Sequence, residues 1–90
     1  MSMDDQYAEM RRFKDELVRF NDRLRSSMQD LKTQHDYVHP YWQDEMRRTY
    51  DSYWGPLDEL MKNYLEREVP MYTEFLSYKI RTLEGYLYGR

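Results

Sequence analysis

Apolar residues recur every three or four positions through the first part of this chain, at Met10, Phe13, Leu17, Phe20, Leu24, Leu31 and Val38. That spacing predicts a helix from about residue 5 to residue 38, roughly 50 Å long. Ser27 and Gln34 occupy the seam positions between, so the stripe weakens toward its end, and Met28, one position over, partly fills it. A stripe this narrow belongs to a helix packed against one or two neighbours. Ser2 followed by Asp5 resembles a capping box, and Asp4 and Asp5 suit the positive end of the helix dipole. Arg11/Asp15, Arg12/Glu16 and Asp15/Arg19 are expected to pair at i,i+4 on the outer face.

The pattern breaks at His39-Pro40-Tyr41-Trp42-Gln43-Asp44. Proline disfavours helical geometry in the residue before it, so helix one is expected to end near Val38 or His39. Pro40 suits the first position of whatever follows, where its missing N–H costs nothing. A second stripe then runs through Met46, Tyr50, Tyr53, Leu57, Leu60, Tyr64 and Met71, and on through Tyr72, Phe75, Leu76, Ile80, Leu83 and Leu87. It predicts a second helix over about 44–87, with Gly85 weakening its last turn. Pro56 and Pro70 lie inside it, fourteen residues apart, and each removes a ladder bond. The stripe crosses both at a 3.6 period, which favours one long kinked helix over a set of short ones. The expected fold is all-α: a single domain over 1–90, an antiparallel helical hairpin turning at 39–44.

Composition adds a reason to associate. The chain is 40% hydrophobic and 34% charged, yet 17% aromatic, and ten of its fifteen aromatic residues are tyrosine. Chains of this size bury only about 60–65% of their unfolded surface even when compact, and an elongated hairpin buries less. The second stripe carries more apolar surface than helix one can cover. Two hairpins pairing into a four-helix bundle resolve this, and a two-fold homodimer is the commonest such closure. The face expected to pair is Tyr50, Tyr53, Trp54, Leu57, Leu60 and Tyr64 with Phe13, Leu17, Phe20 and Leu24. The alternative is a compact monomer folded at Pro56 and Pro70.

Charge excludes several roles. The net charge is −3, with eight acids and seven bases over 1–38 and nine and seven over 39–90. Neither half has the basic excess of a nucleic-acid footprint. Arg11-Arg12 and Arg47-Arg48 are diluted by neighbouring acids, and membrane-surface binding is not expected for the same reason. No apolar run approaches the ~18 residues of a membrane span, and no cysteine is present. The first residues are polar and acidic, unlike a signal peptide. The expected location is the cytoplasm, the alternative being export by a route independent of a signal peptide. His35 and His39 have a metal-compatible i,i+4 spacing. The proline after His39 breaks the helical register, however, and a polar helix end is the preferred reading. Asp44/Glu45, Asp58/Glu59 and Glu66/Glu68 read as salt-paired surface, with Asp44/Arg48 and Asp58/Lys62 as available pairs. No Ser/His/Asp set and no glycine-rich phosphate loop occurs, so neither enzymatic activity nor a cofactor is expected.

Trp42, Asp44 two residues on and Tyr50 eight residues on, set between two amphipathic helices, resemble the turn of the WXG100 (ESAT-6-like) family. That resemblance implies a bacterial helical hairpin pairing antiparallel, with itself or with a paralogous hairpin, and often serving type VII secretion. Asp44 stands where the family has glycine, and aspartate can still cap the following helix. The family's export signal, a tyrosine four residues before an acid beyond the second helix, has its spacing here only at Tyr41/Glu45 and Tyr64/Glu68, within the helical region. Tyr86-Leu87-Tyr88-Gly89-Arg90 lacks it. Pro40, Trp42 and Asp44 are read as structural, with Trp42 stapling the turn, and Trp54 as a partner contact. The expected function is a non-enzymatic protein–protein interaction module, acting as a dimer or as an adaptor within a larger protein system. The alternative is an antitoxin- or immunity-type inhibitor that covers a partner protein.

Overall fold

The computed structural model describes residues 2–89; Met1 and Arg90, the two ends of the expected 1–90 domain, lie outside the described residues. Three α-helices account for nearly all of the chain: α1 (Met3–Val38), α2 (Glu45–Asn63) and α3 (Val69–Tyr88). A 3₁₀ turn at His39–Tyr41 follows α1, and a π-helical turn at Tyr64–Glu68 joins α2 to α3. No strand occurs among the described residues. The chain is an antiparallel hairpin, 65 × 21 × 17 Å.

Local chemistry accounts for the ends. Asp5 N–H donates to Ser2 Oγ (3.1 Å) and Ser2 N–H to Asp5 Oδ2 (3.3 Å), the expected capping box. α1 stops at Val38, one residue short of His39 and two short of Pro40. α3 ends at Tyr88 and is capped by Gly89, whose φ of 71° is the left-handed closure that glycine adopts without strain. The outer ion pairs form at i,i+3: Glu9/Arg12, Glu16/Arg19 and Asp22/Arg25. The i,i+4 pairs expected for Arg11, Arg12 and Asp15 do not form among the described residues, because Arg12 and Arg19 turn to the acids three residues back. Asp58/Lys62 does form, at 3.1 Å.

From Glu45 to Tyr88 the backbone is helical throughout, so neither proline breaks it. Pro56 and Ser52 are both exposed, and water can serve the Ser52 carbonyl that loses its partner. Pro70 is met differently. Its ring would crowd the Glu66 carbonyl, and the ladder widens just before it, with Val69 N–H bonding to the Tyr64 carbonyl five residues back. The extra residue rotates α3 relative to α2. The inward row of α2 is Arg47, Tyr50, Trp54, Asp58 and Met61, continued by Leu65 in the π turn, while that of α3 is Val69, Leu76, Ile80 and Leu83, which form the buried apolar core.

The seam on α1 differs from the apolar stripe. Its covered residues are Tyr7, Met10, Lys14, Leu17, Asn21, Leu24, Met28 and His35. One row of the stripe, Met10, Leu17 and Leu24, faces the partner helix as expected. The other row is Lys14, Asn21, Met28 and His35, not Phe13, Phe20, Ser27 and Gln34, and Phe13 and Phe20 stay 57% and 50% exposed. The reason is polar matching across the hairpin. Tyr7 Oη–H donates to Glu84 Oε1 (2.7 Å), Tyr64 Oη–H to Asn21 Oδ1 (2.9 Å), and His35 Nδ1 meets Tyr50 Oη at 2.7 Å. α3 lies close against α1, aided by its small Thr73, Ser77 and Gly85, whereas α2 stands farther from α1.

Asn21 is 2% exposed, and its Nδ2 has no partner among the described residues. Tyr64→Phe strands the whole amide and is expected to cost about 1–3 kcal/mol in urea unfolding. Asn21→Leu is expected to cost less than Tyr64→Phe or to stabilise, because it removes the buried amide outright. Leu83→Ala, in the core, should cost about 2–5 kcal/mol.

The Tyr7 phenol is held above its ordinary pKa, first by its hydrogen bond to Glu84, then by desolvation and the Glu84 charge. A raised folded-state pKa means that the contribution is complete below the ordinary tyrosine value and fades as pH climbs through the raised one. Glu84→Gln should bring the Tyr7 titration back down, read by NMR of the labelled tyrosine ring carbon against pH.

Candidate functional site

The hairpin tip gathers most of the polar and aromatic side chains that touch across the chain. Pro40 sits in the first turn of the 3₁₀ segment, and Trp42 N–H closes it on the His39 carbonyl (3.2 Å). Asp44 is the N-cap residue of α2, but its side chain caps nothing. The expected role as a side-chain cap is therefore corrected: Asp44 Oδ1 instead accepts the Trp42 indole N–H at 2.6 Å. The carboxylate holds the tryptophan, and the tryptophan closes the turn. Arg47 Nη1 adds a bond to the Trp42 carbonyl (3.3 Å).

Beneath the turn lies a ladder of rings. The His35 imidazole is stacked on the Trp54 indole, 4.1 Å between centroids and 7° from parallel. Tyr50 stands 5.5 Å from His35 and 5.0 Å from Trp42. His39 Nε2 meets Asp51 Oδ1 at 2.7 Å. The Arg47 guanidinium lies along the same ring, 3.2 Å from each nitrogen. His35 and His39 thus turn to different partners. No group of three His, Cys, Asp or Glu among the described residues is placed to hold a metal. Rings of this size also explain why α2 stands off from α1.

The residues expected to pair with a partner divide in two. Tyr50, Trp54 and Tyr64 are half-buried and used within the hairpin, as are Leu17 and Leu24. Trp54 in particular faces α1 and stacks on His35, so its side chain is not free on the surface. Phe13, Phe20, Tyr53, Leu57 and Leu60 are exposed, Tyr53 at 73% and Leu60 at 63%. Helical spacing sets Phe13, Phe20, Leu31 and Val38 along one flank of α1, and Met46, Tyr53, Leu57 and Leu60 along the flank of α2 beside it. On α2 this face runs through Met46, Thr49, Tyr53, Pro56, Leu57 and Leu60, and none of the helix's charges falls within it. At the tip end, Leu31, Val38, Trp42 and Tyr50, with Gln34, His35 and His39, line a largely apolar pocket of about 230 Å³.

Pattern reading missed Lys14, Asn21 and His35 in the seam, and Arg47 and Asp51 at the tip. The available signal was a second seven-residue row, 14/21/28/35, two of whose polar members have partners opposite them on the second helix.

Comparison of the chain with protein-family models, with curated proteins and with solved structures finds no match.

Removing the indole from the ring ladder tests its structural weight. Trp54→Ala is expected to lower stability by about 3 kcal/mol and to flatten the near-ultraviolet circular dichroism of the tip.

Proposed function

We propose that this chain is a non-enzymatic protein–protein interaction module that pairs hairpin to hairpin through its apolar flank, first of all with a second copy of itself. The carrying observation is the uncharged face of α2 with Phe13 and Phe20 beside it, all open to solvent. A contiguous exposed patch of large apolar groups marks an interaction site. A helical partner fits best, because two neighbouring helices present a ridged, elongated face, and a four-helix bundle covers it with the same packing that forms the hairpin.

The spacing of the α1 flank suits a partner with its tip at the opposite end. Phe13, Phe20, Ser27 and Gln34 follow one another at seven-residue intervals. A two-fold axis near residues 23–24, close to the middle of α1, sets Phe20 against the small Ser27 of the other copy. It also sets Phe13 at the level of Gln34 and the tip pocket. On the other arm of the hairpin, Leu60 falls near the same axis. This reading agrees with the antiparallel pairing implied by the WXG100-like turn. It places the protein in the cytoplasm as an adaptor or component of a larger system. No helix of the described residues is long and apolar enough to cross a membrane.

Solution mass decides the matter. Light scattering is expected to give twice the 11.3 kDa chain mass. Leu60→Glu or Phe20→Glu should yield a folded monomer by the same measurement, with helicity checked by circular dichroism. A wild-type protein that stays at the single-chain mass at high concentration, or variants that remain dimeric, would overturn the reading.

A further inference from the structure

The opposite flank of the hairpin has a different chemistry. Two clefts open along it, one between α1 and α3 and one where α1 and α2 diverge. The first, about 330 Å³, is bordered by Arg11, Lys14 and Arg81 together with Asp15 and Glu84. None of its three cations makes an ion pair among the described residues. The second, about 480 Å³, has a floor of Met28, Met61 and Leu65 and an α1 edge of Arg25, Gln29 and Lys32. Lys32 makes no ion pair among the described residues, and Arg25 reaches only the exposed Asp22. On the opposite edge Lys62 is held by Asp58, and Glu66 stands beyond it. The two clefts together are lined by six cations and four carboxylates, in a chain whose net charge is −3. The lining of this flank thus carries an excess of two positive charges (six minus four), while the α2 face on the other flank is uncharged.

We propose that this flank seats an acidic amphipathic helix of a partner protein. Its apolar edge rests on Met28, Met61 and Leu65, and its carboxylates face Arg25 and Lys32 and, farther along, Lys14 and Arg81. A groove between two helices takes a third helix by its apolar edge. Methionine makes a floor that adapts to the side chain placed on it. The row of α1 along this edge is Arg11, Val18, Arg25 and Lys32, at seven-residue intervals and without an acid. It selects for negative charge. From Lys14 to Lys32 the seat is about 27 Å long, which about 18 helical residues span. The proposal does not depend on self-pairing, which uses the other flank.

The probe is a fluorescent synthetic helix of about that length, with leucines along one face and glutamates beside them, together with its lysine-for-glutamate counterpart. The glutamate peptide is expected to bind, to shift the Met28 and Met61 methyl signals in NMR, and to leave the chain's own state of association unchanged. Arg25→Glu with Lys32→Glu should weaken it by about tenfold or more and strengthen the lysine peptide. Lys32→Glu alone should act in the same direction. Both variants change exposed positions, and circular dichroism checks their fold. Equal binding of the two peptides would overturn the proposal. So would unchanged binding in both variants, or NMR shifts at Phe20 and Leu60 in place of the methionines. Capture by phosphatidylglycerol vesicles with no binding of the glutamate peptide would assign the flank to a membrane surface instead.

Discussion

Three polar contacts across the hairpin decide which side of each helix turns inward: Tyr7 with Glu84 at the open end, Asn21 with Tyr64 at the middle, and His35 with Tyr50 near the tip. They are spaced at intervals of fourteen residues along α1, so all three fall on one row of the helix. A two-helix hairpin has a single seam, and assigning that row to it leaves Phe13 and Phe20 on the flank. The cost is visible in Asn21, whose amide nitrogen is buried without an acceptor among the described residues. Hydrophobic burial alone would favour the phenylalanine row. The polar row restricts the pairing to one register, since any slip along the seam separates all three pairs at once. Here a buried polar side chain at a seam position sets register at the expense of stability.

The same assignment shapes the interior. Among the described residues, the buried apolar side chains are Val69, Leu76, Ile80 and Leu83, all on the α3 side of the π turn. The α2 half depends instead on stacked rings, which are wide and hold the helices apart. A molecule with so small a core and so much aromatic surface left over is marginal when alone. The proposed association would contribute to stability as well as to function, because a partner covering the flank would bind the folded state and not the unfolded one.

Much of the fold was legible because it rests on local signals. The capping box at Ser2 and Asp5 and the stop before Pro40 act within one helical turn, and each takes its expected place. Helix two was legible as continuous, but the π turn before Pro70 was not. A widened turn leaves no mark in composition, and it shows only as a one-residue slip between the inward row of α2 and that of α3. The seam was half legible. Met10, Leu17 and Leu24 belong to both candidate seams, and periodicity cannot separate rows 13/20/27/34 and 14/21/28/35 when one is aromatic and the other polar. That choice is made by partners 15 to 77 residues away along the chain. Asp44 shows the same limit at short range: its type is right for a cap, but the Trp42 indole two residues back competes for the carboxylate and wins.

The π turn ties these observations together. Without the extra residue, α3 would continue the α2 register, and the inward row would run on from Leu65 through Glu68 and Tyr72. A carboxylate and a phenol would then face α1 where the core now lies. With it, Val69, Leu76 and Leu83, at seven-residue intervals, point into the seam. Pro70 is thus absorbed by a widening that also brings the apolar face of α3 onto α1, and the close fit at this end supports the wider, ring-filled tip at the other. Both flanks keep their separate characters because α1 runs unbroken beside this joint, with phenylalanines along one edge and arginines and lysines along the other.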